Sequence, residues 1–243
     1  MTTSKTSKAK WVAGLAAVVM VGAAQADALQ GRDINGNAVL GSDISAVFLY
    51  DPDLNITWLK DANAGAGSVY DDGSSPTDGR MAWQRAKGWA DALVVGIFDD
   101  WRLPTTLQPD ASCGSQIDAG APFGLQGYGD NCTGSEMGHL WYTELGNTAG
   151  SLTNTGDFGT TLQSSSFGNY WSGTVYAPNA SGAWYFGTTD GNQSANFLVQ
   201  SSELYAMAVR SGDVAAVVPE VQTYAMLLAG LGALAVVVRR RPV

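Results

Sequence analysis

Apolar and polar positions alternate along this chain in short, changing rhythms. One uninterrupted apolar run, Trp11 to Ala24, stands near the start, and a second, Tyr224 to Val238, near the end. Between them the signals are brief. Ala46-Val47-Phe48-Leu49-Tyr50 and Leu54-Asn55-Ile56-Thr57-Trp58-Leu59 read as strands bridged by Asp51-Pro52-Asp53, whose residue types favour turns. After a polar stretch from Ala64 to Asp78 the period lengthens. Trp83, Ala86, Ala90 and Leu93 are spaced three, four and three apart and mark one helix face, with Thr77 or Asp78 as its candidate cap. Thr105-Thr106-Leu107-Gln108 has the form of a capping box and predicts a helix cut short by Pro109. A second box, Thr133-Gly134-Ser135-Glu136, opens a helix with Met137, Leu140, Trp141 and Leu145 on its apolar face and Gly146 as its stop. Three strands follow: Asn169 to Tyr176, Ala183 to Thr188, and Leu204 to Arg210, with a hairpin turn at Asp190-Gly191. Tyr205, Met207 and Val209 alternate with Ala206, Ala208 and Arg210, the rhythm of a half-buried strand. Two helices and a handful of antiparallel strands give an α+β domain.

The two terminal runs have a different character. Lys5, Lys8 and Lys10 precede the first, and Ala24-Gln25-Ala26 follows it as an A-x-A site, which together form a secretory signal peptide over residues 1–26, removed by signal peptidase. An uncleaved membrane anchor is the alternative. The second run is 15 residues long, where a membrane span takes about 20. It is preceded by Val218-Pro219-Glu220 and ended by Arg239-Arg240-Arg241, and arginines there hold that end on the cytoplasmic side. An ordinary single-pass anchor would look similar. The tail from Val218 to Arg241 resembles the PEP-CTERM sorting signal, with Val221 where that family usually has a second proline. The resemblance implies a transmembrane helix over 224–238, a transient stay in the inner membrane, and cleavage by an exosortase. It also implies a Gram-negative host that makes exopolysaccharide, with delivery to the cell surface or extracellular matrix.

Without the two signals, about 193 residues remain, enough for one domain with a sizeable core. They carry seven basic and 21 acidic residues, a net charge near −14. So acidic a body excludes nucleic acid and anionic lipid as partners, since both require a basic surface. Cys113 and Cys132 are the only cysteines. Export favours their pairing, with about 3 kcal/mol from closing a loop of this size. A two-ligand metal site is the alternative, although no neighbouring residues complete a tetrahedral set.

A second resemblance rests on an ordered set of words. These are Leu54-Asn55-Ile56-Thr57-Trp58, the helix with Trp83 and Ala86, Asp100-Trp101-Arg102-Leu103-Pro104-Thr105, Tyr170-Trp171-Ser172-Gly173-Thr174, Ala183-Trp184-Tyr185-Phe186, and Ala208-Val209-Arg210. Over residues 47–213, after a lead-in of 27–46, the chain is similar to the Lcl C-terminal domain family, with Cys113 to Gly146 as an insertion. The resemblance implies a C-type-lectin-like fold and, in some members, adhesion to sulfated polysaccharides. Trp58, Trp101, Arg102, Pro104, Trp171 and Arg210 are then structural residues of the shared words.

Little in the sequence points to catalysis. His139 is the sole histidine, set beside an apolar helix face, and reads as a packed or hydrogen-bonded side chain. Lectin-like folds include formylglycine-generating oxidases, which need reactive cysteines, whereas both cysteines here are expected in one bond. Asp51, Asp53 and Asn55 begin like a calcium loop, but Ile56 occupies the required glycine position and Ala62 the final ligand position. Asp71, Asp72 and Asp78 form a loose acidic cluster, so no metal or cofactor is expected. Asp99-Asp100 and Glu136 with Glu144 are carboxylate pairs of the kind glycosidases use, yet pairs are unavoidable among so many acids. Seven tryptophans in the exported body suit core packing or sugar stacking, and Tyr128, Tyr176 and Trp184 are the freest candidates for the latter. The expectation is a non-catalytic, lectin-like surface or matrix module that binds exopolysaccharide. A structural matrix protein without a specific ligand and a carbohydrate-active enzyme are the competing readings.

Overall fold

Asn55, with φ of 52°, turns the chain sharply between the strands Ala46–Asp51 and Ile56–Leu59, and the Asp51 carboxylate fastens that turn by accepting the Leu54 N–H at 3.0 Å. The computed structural model describes residues 28–163 and 168–215. Ala24 and Ala26, the expected signal-peptide cleavage site, lie outside the described residues. So do Val218, Pro219, Glu220, Arg239, Arg240 and Arg241 of the tail, with the apolar run 224–238. Among the described residues no helix is long and apolar enough to cross a membrane.

The chain begins with strands β1 (Gln30–Asp33), β2 (Ala38–Val39), β3 (Ala46–Asp51) and β4 (Ile56–Leu59). Next come β5 (Arg80–Met81), helix α1 (Trp83–Ala92) and the hairpin of β6 (Ser115–Asp118) with β7 (Leu125–Tyr128). Helix α2 (Glu136–His139) runs into a π-helical turn, Leu140–Glu144, and a 3-10 segment spans Gly156–Thr161. The last strands are β8 (Asn169–Val175), β9 (Ala183–Gly187), β10 (Asn192–Asn196), β11 (Leu204–Tyr205) and β12 (Val209–Ser211).

The result is α+β, with more sheet than helix. The strands form two five-stranded sheets, ordered β12-β4-β3-β1-β2 and β10-β9-β8-β11-β5, besides the β6-β7 hairpin. All pairings are antiparallel except β8 with β11. The lead-in residues contribute two strands of the first sheet, and Arg32 of β1 is fastened to Asp213 at 2.7 Å.

Two aromatic cores flank the central strands. Phe48 packs with Trp83, Trp89, Trp101 and Trp171, while its neighbour Leu49 packs with Trp58, Met137, Trp141 and Tyr170. This explains why the segment Leu204 to Arg210 differs from the single half-buried strand expected of it. Its alternation is real, but both faces are covered: Tyr205, Met207 and Val209 enter the second core, and Ala206 and Ala208 the first. The small alanines let the first core approach the backbone, and the segment passes from one sheet to the other as β11 and β12.

Both capping boxes find other partners. Thr105 to Gln108 stay extended because their backbone and side chains are claimed across the fold. Thr106 N–H donates to Thr174 Oγ1 and Leu107 N–H to Ser135 Oγ, and the Gln108 side chain both donates to and accepts from Gly127. Helix α1 starts after Ala82, without a side-chain cap, because β5 runs directly into it, and Asp78 is held by Arg80 instead. Gly146, with φ of 63°, ends the second helix as its position predicts.

Candidate functional site

Pairing between β9 and β10 sets Ala195 opposite Trp184. A small residue directly across from a tryptophan leaves space above the ring on that face. Tyr176, just past the end of β8, closes one side. Its ring meets Trp184 edge-on at 5.4 Å and Phe197 at 5.3 Å. The opposite wall comes from the β6-β7 hairpin, whose register, with Ser115 opposite Tyr128 and Ile117 opposite Gln126, puts Ile117 and Tyr128 on one face. These residues, with Ser194, line a cleft of about 250 Å³. Trp184 is buried at its floor, with an indole N–H that has no hydrogen-bond partner. Phe197 at its rim is 51% exposed, Ile117 50% and Tyr128 39%. Beyond Phe197 a second depression of about 380 Å³ continues past Trp83, Gln84 and Leu198.

The hairpin wall is anchored rather than free. Gly129 and Gln193 exchange backbone hydrogen bonds at 2.8 and 2.9 Å. The buried Gln193 side chain donates to Gly127 O at 3.2 Å. At the hairpin's base Cys113 and Cys132 are joined in a disulfide, so neither sulfur serves as a metal thiolate.

Sequence reasoning named Tyr128, Tyr176 and Trp184 separately, and the fold brings them together. It missed Phe197 and Ile117, whose apolar character gave no signal distinct from that of core residues. The family-word residues lie elsewhere and form a structural set. Trp58, Trp101 and Trp171 are buried, and Trp101 stacks on Phe48 at 5.8 Å. Arg102 grips Glu136 with two bonds of 2.8 and 2.7 Å, while the Pro104 carbonyl accepts from Ser172 Oγ and Gly173 N–H. Arg210 grips Asp100 with bonds of 2.7 and 3.0 Å, and its guanidinium holds the Asp100 carboxyl below the usual carboxylate range.

The acidic candidates are dispersed. Asp71 accepts the Gly67 and Gly79 N–H groups, Asp72 pairs with Arg85, and Asp78 with Arg80. Glu136 and Glu144 likewise have separate partners, Arg102 and His139. His139 takes no part in lining the cleft.

No family model, curated protein or solved structure matches the chain.

Proposed function

We propose that this chain is an exported, non-catalytic module of C-type-lectin-like fold that binds a neutral polysaccharide in the cleft over Trp184. In this reading it is sorted by an exosortase and delivered to the surface or extracellular matrix of its Gram-negative host. The observation that carries the binding is the convergence of Tyr128, Tyr176, Trp184 and Phe197 from separate elements on one open cleft. Sugar rings present C–H faces that pack on aromatic rings, and hydroxyls that need partners. Trp184 floors the cleft as an apolar surface, and Ser194 brings a hydroxyl-bearing side chain to its lining. The adjoining depression across Phe197 gives a second position for a polymer.

Charge selects among polysaccharides. Each of the five arginines in the described residues pairs with a carboxylate, and the exported body is strongly acidic. A sulfated polymer would meet no arginine free to bind it and a repelling field. An uncharged chain is therefore the ligand class that fits this cleft.

An array of neutral and sulfated polysaccharides, followed by titration calorimetry on any hit, tests this. Tyr128→Ala and Phe197→Ala remove rim side chains and should fold normally. Each should weaken binding about tenfold, the equivalent of one aromatic contact. Binding to no polysaccharide would leave a purely structural matrix protein, and wild-type binding by both variants would place the binding site outside this cleft. Release of new reducing ends from a bound polymer would point to an enzyme.

A further inference from the structure

His139 stands among acids. Its Nε2 is 3.2 Å from Glu144 Oε1 and 3.9 Å from Asp51 Oδ2, and these donor atoms all lie within 4.8 Å of one another. The Asp51 and Glu144 side chains have no exposure, and that of His139 only 13%. The π-helical turn produces part of this arrangement. Its i→i+5 bond, Leu145 N–H to Leu140 O at 2.9 Å, sets residues five apart roughly one turn apart. In an α-helix residues 139 and 144 would diverge by about 140°.

Hydrogen bonding alone does not satisfy this cluster. Both carboxylates converge on the same nitrogen, and one Nε2–H serves one oxygen, Glu144 Oε1 at 3.2 Å. Asp51 Oδ2 is left buried with no hydrogen bond, although Oδ1 accepts the Leu54 N–H. Burial pushes the Asp51 carboxyl above its usual range, offset in part by Leu54 N–H, His139 and Trp58. The Trp58 indole N–H beside it is also buried without a hydrogen bond. A fully buried carboxylate oxygen that completes no hydrogen bond, with only the Trp58 indole N–H beside it, is costly unless a proton or a cation neutralises it.

We infer that Asp51, His139 and Glu144 form a binding site for a divalent transition metal, with zinc the best-fitting ion. Zinc takes imidazole nitrogen and carboxylate oxygen at about 2.0–2.2 Å in tetrahedral geometry, which sets ligand atoms about 3.3–3.6 Å apart. The observed 3.2 and 3.9 Å separations bracket that span. Two carboxylates neutralise the ion, neutral His139 offers its Nε2 lone pair, and His139, 13% exposed, is the one ligand side chain that solvent reaches. The metal ties the end of β3 to the helix that carries Glu136, the partner of Arg102.

The test uses the exported protein purified without an affinity tag, so that His139 is its only histidine. Zinc is titrated by calorimetry, bound metal is counted by mass spectrometry after dialysis, and cobalt(II) replaces zinc for visible spectroscopy. One equivalent should bind, shift the resonances of the single imidazole, and raise Tm by about 5–10 °C at saturation. Changes around a metal's ligands typically cost about 10–100-fold in affinity, so losing a ligand should cost about 100-fold or more. His139→Gln keeps a hydrogen-bonding amide and Asp51→Asn keeps shape, and both should lose the metal while retaining the wild-type circular dichroism spectrum. Three results overturn the inference: no stoichiometric zinc, unchanged affinity in both variants, or imidazole resonances that ignore the metal. Stabilisation of the metal-free protein on acidification, lost in His139→Gln, would instead assign the site to a protonated imidazole between two carboxylates.

Discussion

Replacing Arg102 by alanine discriminates between a structural and a ligand-binding reading of the Trp-Arg-Leu-Pro word. Its guanidinium makes two bonds to Glu136, and Glu136 Oε2 also accepts the Thr105 N–H at 2.7 Å. The Arg102 side chain is 34% exposed and that of Glu136 14%. A fully buried pair costs about 3–5 kcal/mol when one partner is removed, and an exposed pair about 1 kcal/mol or less. This pair lies between, because water reaches the arginine side while Glu136 keeps only the Thr105 N–H. We expect a loss of about 2–3 kcal/mol, seen as a fall in Tm of about 4–12 °C for a domain of this size. Glu136→Ala should cost less, since the guanidinium keeps the Leu103 carbonyl and water, and the exposed Thr105 N–H can turn to water. Arg102→Lys should recover only part of the loss, because an ammonium cannot form the two-pronged contact. Urea titrations of both single variants and the double variant give the coupling directly. If Arg102→Ala melts with the wild type and has lost polysaccharide binding, the residue belongs to a ligand site and the structural argument fails.

Three further outcomes follow from the same geometry. Removing the disulfide by Cys113→Ala with Cys132→Ala should cost about 3 kcal/mol without unfolding the two sheets, and should weaken polysaccharide binding by loosening the Ile117 and Tyr128 wall; non-reduced peptide mapping that recovers both cysteines as free thiols from exported protein would refute the bond. Asp100 has its pKa lowered by Arg210, so its contribution is present above the unfolded value of about 4 and is lost as pH falls below it. Arg210→Gln should therefore flatten the stability profile on the acid side of about pH 4, and an unchanged slope by chemical denaturation would refute that. Mass spectrometry of mature protein from a host with an exosortase should find a C-terminus near Pro219-Glu220; most molecules ending intact at Val243 would mean a plain membrane anchor.

The sequence made the regular elements legible where burial had one rhythm. The α1 face holds because Trp83, Ala86 and Ala90 are buried at helical spacing. The strands at Ala46 and Ala183 hold because their apolar runs end in turns. What it did not reveal is that β3, β8 and the Leu204–Ser211 segment are covered on both faces. Phe48 and Leu49, or Tyr170 and Trp171, are large and apolar in adjacent positions. Such a pair fits a continuously apolar strand as well as an alternating one. The apolar pattern therefore carries no sign that the strands divide between two sheets.

The capping boxes show the limit more sharply. A box is a local signature, but each of its groups also bonds to a distant partner if the fold brings one closer. Thr105 and Glu136 belong to two different boxes, and in the fold the Glu136 carboxylate accepts the Thr105 N–H while holding Arg102. Ser135, which precedes the helix, gives its hydroxyl to Asp110 and accepts from Leu107 rather than capping. The box that still opens a helix is followed by Met137, Leu140 and Trp141, which bury a face in the second core. The box that does not is followed by Pro109. Burial of an apolar face decided which segment became helical, and the polar groups of both boxes were then free to join the two segments to each other. The same logic applies to the cleft. Trp184 is both core and floor, so its role becomes visible only when Ala195 is found opposite it and Tyr128 is brought across by the stapled hairpin.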